Sequence, residues 1–300
     1  MLTFILFLLA TKLKAQKSWT NKYTVNKNFK VGAVQVYDVN EFYKVDNIFF
    51  GRKENVKSTV FIQVVDTFRG GYFMQYHTLM KQKDIQNDST AYIMSLLMNK
   101  VNFIMYFKNG DFIVDSTSYY RNNESIKSIC DSLNKSPFFG ETNKAFIKEI
   151  QFEIKRNDGI QFFLGPLILI QQYFSNFEYK EFPIYSFVSN NNIFNKKLYT
   201  GKLTTIWKNT KKDGTIVLQN EFTGDPATTA QHYQKKYEQV LIDKNIKYRK
   251  KDFPDFMRYE STTIYNTKTQ NAFPIRIYNK TTGEYLFRFV ERTEMNALIE

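Results

Sequence analysis

The stretch Thr59 to Thr78, T-V-F-I-Q-V-V-D-T-F-R-G-G-Y-F-M-Q-Y-H-T, decides the fold class of this 300-residue chain. Its first part, Thr59 to Thr67, is a β-branched run, and Tyr72 to Thr78 is rich in aromatic residues, and both compositions favour strands. The segment Arg69 to Gly71 between them supplies the glycines that a tight turn needs. The stretch therefore predicts a long antiparallel β-hairpin.

Other parts of the chain repeat this pattern. Two further hairpins are predicted around an Asn-Gly and an Asp-Gly pair, which are strong turn signals. They join Asn102–Phe107 to Phe112–Ser116 through Asn109-Gly110, and Leu203–Trp207 to Thr215–Phe222 through Asp213-Gly214. Near the end, Phe273 to Tyr278 and Tyr285 to Arg292 are predicted strands, and Thr281 to Glu284 is a predicted turn.

Helical patterns lie between these hairpins. Helices are predicted over Asp88 to Asn99 and over Asn123 to Asn134, where Asn123 is the expected N-cap. The apolar stripe of the second helix contains Cys130, which predicts a thiol buried in packing rather than a catalytic one. Asn143 to Lys155 fits a helix or a strand equally well.

The most apolar segment after the first sixteen residues is Gly159 to Phe177. The Gly165-Pro166 pair is expected to interrupt it, and Pro166 to open a helix that continues to Phe174. A second Pro-initiated helix is expected at Asp225-Pro226, with Asp225 as its cap. Both helices are expected to pack against the sheet.

These elements predict an α+β fold in which long antiparallel hairpins form one curved sheet or two related half-sheets, packed on several helices. Both ends of the chain have the order hairpin, helix, hairpin, so two weakly duplicated halves are expected, at about 16–120 and 180–300, joined by a helical middle at about 121–178. No Ser- or Gly-rich linker separates the halves, which favours a single domain over 16–300.

The first residues predict export. Leu2 to Ala10 is an apolar run too short to span a membrane, and a small residue, Ala15, offers a cleavage point, so residues 1–15 are interpreted as a signal peptide. No Lys or Arg precedes the run, so either the amino terminus supplies the positive charge or the true start lies upstream. The alternative is a buried first strand or helix of a cytosolic protein. Because no Cys follows the run, lipid anchoring is not expected.

Composition restricts the class of protein. The chain is 43% hydrophobic and 17% aromatic, with 12 Gly and 6 Pro, which is typical of a folded, β-rich protein and not of a disordered one. Its net charge is +13, but the basic residues are spread along the whole length. Cys130 is the only cysteine, so no intramolecular disulfide can form.

The sequence carries no recognised catalytic motif. It has no Gly-rich phosphate loop, no nucleophile elbow and only two histidines, His77 and His232, so neither a cofactor nor a metal site is predicted and the protein is interpreted as a non-enzyme. The acidic pairs Asp111 with Asp115 and Glu291 with Glu294 fit acid–base chemistry or, more simply, turns and strand edges.

One cluster of basic residues stands out. Anionic headgroups or nucleic acid could bind there through charge, although export argues against nucleic acid, and a solvated loop after a helix explains the cluster equally well. Its members are Lys247, Arg249, Lys250 and Lys251.

The apolar run ending in Lys14-Ala15-Gln16 resembles the signal peptides of exported Bacteroidetes proteins. The body, with Phe29 to Gly32, Thr59 to Thr67, Asn109-Gly110 and Thr282 to Glu284, resembles an uncharacterised family that those bacteria export. The overall plan is also similar to lipoprotein-carrier (LolA-like) proteins, and this similarity implies a curved antiparallel sheet that folds over helices and shelters acyl chains, with no catalytic residues.

Two functions follow for a periplasmic or cell-envelope protein. In the first, an apolar groove between sheet and helices binds a lipid-like ligand, and peripheral contact with a membrane is possible. In the second, the same residues form a closed core, and the protein is a structural component or binds other envelope proteins. A hydrolase comes third. The expected groove residues are Phe162, Phe163, Leu167, Ile170, Tyr173 and Phe174.

Overall fold

A computed structural model describes residues 22–46, 51–80, 89–155, 164–175, 178–192, 195–243, 247–249, 251, 253–286 and 288–298. The strands are β1 (Lys22–Thr24), β2 (Val34–Asp46), β3 (Gly51–Phe68), β4 (Gly71–Met80), β5 (Asn102–Lys108), β6 (Asp111–Val114), β7 (Glu178–Lys180), β8 (Ile184–Asn192), β9 (Asn195–Thr210), β10 (Ile216–Gly224), β11 (Arg258–Thr267), β12 (Arg276–Glu284) and β13 (Arg288–Ala297). The helices are α1 (Ser89–Met98), α2 (Ser116–Lys135), α3 (Glu141–Lys155), α4 (Gly165–Ser175) and α5 (Pro226–Asp243). Among the described residues, no helix has both the length and the hydropathy needed to cross a membrane.

The strands form one large antiparallel sheet of 11 strands, in the order β6-β5-β4-β3-β2-β13-β12-β11-β10-β9-β8, and a small sheet of β1 and β7. The predicted α+β class with long antiparallel hairpins is therefore confirmed, as a single large sheet. Its two halves meet where the first long strand pairs with the last, at β2 and β13. The edge strands β6 and β8 do not pair with each other, so the sheet is open.

The three hairpins predicted around Gly70, Asn109-Gly110 and Asp213-Gly214 are present. The stretch that begins at Thr59 lies in β3 and β4, and Gly70 in its turn has a φ of 85°. Asn109 and Gly110 both have positive φ, 57° and 98°, as a two-residue type I′ turn requires. Gly214, in the turn between β9 and β10, has a φ of 78°.

The C-terminal turn was predicted in the wrong place. Thr281 to Glu284 lies inside β12, which runs to Glu284, and the chain turns only after it. Gly283 pairs with Phe289 of β13 and Tyr259 of β11, and a Cβ atom on Gly283 would overlap the Phe289 ring. The glycine is needed for this close ring contact and not for a turn.

Helix α2 begins earlier than predicted. Its N-cap is Asp115, whose side chain accepts a hydrogen bond from the Ser118 N–H at 2.8 Å, and not Asn123. The first turns are polar, so they lack the apolar spacing on which the sequence prediction relied. The ambiguous segment from Asn143 is helical in α3, and the two Pro-initiated helices are confirmed as α4 and α5.

Helix α4 lies at the centre of the hydrophobic core and joins the two halves of the sheet. The Phe174 ring lies 5.1 Å from the Phe107 ring on β5, while the Tyr173 hydroxyl donates to Thr267 Oγ1 on β11 at 3.2 Å. The Tyr265 hydroxyl of β11 donates to the Leu169 carbonyl at 3.0 Å. These contacts fix α4 against the face of the sheet that we call the inner face, which also packs on α1, α2 and α3.

Candidate binding site on the inner face of the sheet

The inner face carries two separate hydrophobic clusters. The main cluster includes Val39, Met295, Ile277 and Tyr265 on the adjacent strands β2, β13, β12 and β11, together with α4. The second cluster is small and consists of Ala230 of α5 with Met257, Phe289 and neighbouring tyrosines. Because the clusters are distinct, other side chains must occupy the inner face between them.

Polar side chains fill that space across six neighbouring strands. Strand register places one row of them directly beside the main cluster and a second row one step closer to the second cluster. We call the two rows the polar band, which consists of Glu41, Thr293, Asn279, Thr263, Asn220 and Thr205 in the first row and Glu291, Thr281 and Ser261 in the second. At about 4.8 Å between strands, the first row is about 24 Å long.

The middle of the polar band is a closed hydrogen-bond network. The Asn279 side-chain amide donates to Ser261 Oγ at 3.0 Å and to Thr263 Oγ1 at 2.9 Å. The Thr281 hydroxyl donates to Asn279 Oδ1 at 3.2 Å. This network fixes the side chains of β11 and β12, so this part of the band is preorganised.

Asn220 extends the band beyond the network. Its side chain is 3% exposed, and neither its amide nitrogen nor its amide oxygen makes a short, well-aligned hydrogen bond to a described residue. A weaker hydrogen-bonding interaction with the Tyr265 side chain lowers the pKa of that tyrosine, whose hydroxyl donates to the Leu169 carbonyl of α4. A buried amide that is incompletely hydrogen-bonded is costly, and a polar ligand group would offset that cost.

Glu41 occupies the other end of the first row, beneath the start of α4. Its Oε1 lies 3.5 Å from the position that a Cβ atom on Gly165 would occupy. Burial raises the pKa of Glu41 to about 7, and the nearby carboxylate of Glu291 contributes to the rise. The helix N-terminus favours the charged carboxylate, but burial and the second acid outweigh it.

The solvent exposure of the side chains decreases along the band from β2 and β13 towards β10. Glu291 is exposed, Glu41 and Thr293 are half-buried, and Asn279 and Asn220 are buried. Glu41 thus retains accessible surface although burial dominates its pKa. We call the region of Glu41 and Glu291 the mouth of the band, because there the band meets solvent.

The predicted groove residues lie in the main cluster. Leu167, Ile170, Tyr173 and Phe174 are fully buried in α4, and their rings and methyl groups pack against the inner face. Phe162 and Phe163 lie outside the described residues. The structure therefore brings four predicted residues together, next to the polar band.

The predicted basic cluster is not part of the polar band. Lys247, Arg249 and Lys251 are exposed in the segment between α5 and β11, and Lys250 lies outside the described residues.

The acidic pair Asp111 and Asp115, which fits either acid–base chemistry or turns, makes local structural contacts. Asp115 caps α2 and accepts from the Tyr106 hydroxyl, while Asp111 accepts from Gln171 Nε2 at 2.7 Å.

A shallow depression lies on the opposite, outer face of the sheet. It is lined by Ile264, Asn266, Arg276 and Tyr278, and Arg276 forms an ion pair of 2.6 Å with Glu294. No group of three or more metal-binding side chains occurs in the described part of the chain. The outer face resembles an ordinary solvated sheet surface, so the inner polar band is the stronger candidate.

Sequence reasoning missed the polar band. The signal for it is present, because Asn279, Thr281 and Gly283 alternate with outward positions on β12, as Thr263 and Ser261 do on β11. Such a pattern looks the same as that of a strand with two solvated faces. Only strand register shows that these residues align on the inner face.

Comparisons with known proteins assign the chain to no family. No family model and no curated protein matches it. Among solved structures, a lipovitellin structure described by its lipid–protein interactions is similar, with a TM-score of 0.42 and 8% identity. The match covers 91% of this chain and 25% of that one, so the chain spans a quarter of the length of that protein.

Proposed function

We propose that this protein is an exported, non-catalytic protein of a bacterial periplasm or cell envelope that binds a lipid-like ligand between the sheet and its helices. The observation that carries the proposal is the polar band, which separates two hydrophobic clusters on one inner face. A ligand with apolar and polar parts matches this division, since its polar part can bond to the band and its apolar part can contact the flanking clusters.

Burial and hydrogen bonding support this assignment. A closed core of this size excludes polar groups unless they are paired, because each unpaired buried group is costly. The Asn220 amide makes no short, well-aligned hydrogen bond to a described residue, and the Glu41 carboxyl is enclosed so that burial raises its pKa to about 7. Export is proposed from the apolar run at Leu2 to Ala10 and from Ala15 as the cleavage point.

The second candidate function is a structural or protein-binding role with a closed core. The complete burial of Leu167, Ile170, Tyr173 and Phe174 favours it, because these four side chains present no surface to a ligand. In that case the polar band is only a hydrogen-bonded spacer between the two clusters.

An apolar fluorescent probe separates the two functions. We expect N-phenyl-1-naphthylamine to bind the purified protein, and Thr293→Trp, which places a bulky ring in the band, to weaken binding at least tenfold. Arg292→Trp is the matched control, because Arg292 is the neighbouring residue on the outer face. Circular dichroism verifies that both variants are folded.

Equal probe affinities of the two variants would show that the band is not part of the binding site. Absence of probe binding to the unmodified protein would favour the closed-core function. If Thr293→Trp does not fold, Thr293→Ile adds a smaller group at the same position, and we expect an intermediate loss of affinity.

A further inference from the structure

We infer that the ligand carries a neutral hydroxyl group, which binds between Trp207 Nε1 and the side-chain amide of Asn220 at the buried end of the polar band. This inference rests on the proposed function and adds the chemical class of the ligand's polar end. The site lies on β9 and β10, where the inner face passes from the main cluster to the polar band.

Strand register makes Trp207 and Asn220 neighbours. Trp207 of β9 pairs with Leu218 of β10, and Thr205 pairs with Asn220 at the adjacent position of the same face. Leu218, Thr205 and Asn220 are buried, and Trp207 packs against the main cluster, so all four side chains face inward. Trp207 is diagonally opposite Asn220, and such diagonal neighbours lie about 7 Å apart, within reach of an aromatic side chain.

Both side chains have unused hydrogen-bonding capacity. Trp207 Nε1 is buried and makes no hydrogen bond to a described residue. The Tyr265 hydroxyl gives its proton to the Leu169 carbonyl, so it can interact with Asn220 only as an acceptor. This weak interaction uses the amide nitrogen, and it leaves Asn220 Oδ1 without a donor among the described residues. An indole N–H only donates and an amide oxygen only accepts, so the two unsatisfied atoms are of opposite kinds.

A hydroxyl group satisfies both atoms at once, because one oxygen can accept from the indole and donate to the amide oxygen. An ether or a carboxylate can only accept, and an ammonium group can only donate. Each of these groups would leave one buried atom unpaired, which is costly.

The sheet around the site is uncharged on its inner face. From Gly201 to Trp207, Ile216 to Gly224 and Tyr259 to Thr267, the charged residues Lys202, Glu221 and Glu260 all occupy outward positions. A charged ligand group buried here would have no opposite charge on these three strands, and its desolvation would not be offset. The surroundings therefore favour a neutral group.

Apolar surface beside the site favours a ligand over a single water molecule. Leu203 and Phe222 occupy the next pair of inward positions towards the second cluster, and both are half-buried. The Phe222 ring lies 6.1 Å from the ring of Tyr259, which packs against that cluster. An alkyl chain can lie along these side chains while its hydroxyl group binds at the site. A buried water molecule typically makes about three hydrogen bonds, whereas this site offers two unsatisfied atoms among the described residues.

The test uses three probes of equal chain length, 1-decanol, 1-methoxynonane and decanoate, each below its solubility limit or micelle concentration. Isothermal titration calorimetry measures their affinities for the full chain. The methyl ether accepts a hydrogen bond but cannot donate one, and decanoate adds a charge. We expect decanol to bind at least about fivefold more tightly than either of the other two.

Two variants separate the two hydrogen bonds. Asn220→Leu removes the amide at similar size, and we expect the preference for decanol over the ether to fall to about twofold or less. Trp207→Phe removes the indole N–H, from which both oxygens accept, so we expect both affinities to fall about threefold or more while the preference remains. Asn266→Leu is the matched control, because Asn266 faces outward on β11, and we expect it to leave all three affinities unchanged. Circular dichroism verifies that the variants are folded.

The outcomes separate the two proposals. Equal affinities for decanol and the ether, or tightest binding of decanoate, overturn the hydroxyl inference and leave the proposed function in place. A preference for decanol that persists in Asn220→Leu also overturns it, as do unchanged affinities in both variants, which would indicate that only water occupies the site. If neither these probes nor N-phenyl-1-naphthylamine binds, the proposed function itself fails. The comparison of the three probes uses the unmodified chain, so it tests the inference even where a variant does not fold.

Discussion

The substitution Glu41→Gln tests the electrostatics of the inner face through protein stability. In the folded protein the pKa of Glu41 is raised to about 7, mainly by burial, from an ordinary value of 4.5. Between these two values the folded state holds a proton that the unfolded state has lost. The free energy of unfolding therefore decreases as the pH rises from about 4.5 to 7.

The size of this effect follows from the shift. A difference of about 2.5 pKa units at 1.36 kcal/mol per unit corresponds to about 3 kcal/mol. Glutamine cannot ionise, so the variant lacks the decrease. We therefore compare the free energies of unfolding of Glu41→Gln and of the unmodified protein. We expect the difference between them to change by about 3 kcal/mol in favour of the variant from pH 4.5 to pH 8, whatever its value at pH 4.5.

Urea denaturation at pH 4.5, 6 and 8 measures this difference directly, with circular dichroism as the probe. Glu260→Gln on the outer face is the control, and we expect its difference from the unmodified protein to vary by less than about 0.5 kcal/mol over the same range. A stability difference for Glu41→Gln that does not change with pH would refute the enclosed position of this carboxyl group.

Three further predictions concern the scaffold. Gln171→Leu removes the side-chain oxygen that accepts from the Phe112 N–H at 2.6 Å on edge strand β6, so we expect the free energy of unfolding to fall by about 1–3 kcal/mol, and an unchanged urea midpoint would contradict this edge contact. Asp115→Ala removes the N-cap of α2 and is expected to lower the free energy of unfolding by about 1 kcal/mol at pH 7. Because hydrogen bonds lower the pKa of Asp115, this loss should shrink as the pH falls below about 4, and a loss that does not change with pH would count against the cap. Burial raises the pKa of the Cys130 thiol to about 11, so we expect a thiol reagent such as DTNB to label it only in denaturant, and rapid labelling of the native protein would show that the thiol is accessible.

Much of the architecture is predictable from local sequence signals. Asn109-Gly110 and Asp225-Pro226 each specify a backbone conformation within two residues, so a turn and a helix start were located correctly. The start of α2 was missed because its cap, Asp115, precedes polar turns without apolar spacing. Gly283 was misassigned because a glycine required by a neighbouring ring looks the same in sequence as one in a turn.

The candidate site depends on information that the sequence does not contain locally. Glu41, Thr293 and Asn279 come from distant parts of the chain and become neighbours only through the pairing of β2 with β13 and of β13 with β12. That pairing brings the first and last long strands together, and no turn signal specifies it. Composition could therefore predict an apolar interior, whereas the polar band required the strand register.

The measurement that tests the central claim most directly is native mass spectrometry of the mature protein, purified without detergent from the cells that produce it, followed by organic extraction. The account predicts a near-stoichiometric mass above that of the polypeptide, lost after extraction, with a lipid-like molecule in the extract. A mass equal to that of the polypeptide alone in the same preparation would contradict ligand binding and favour a structural or protein-binding role.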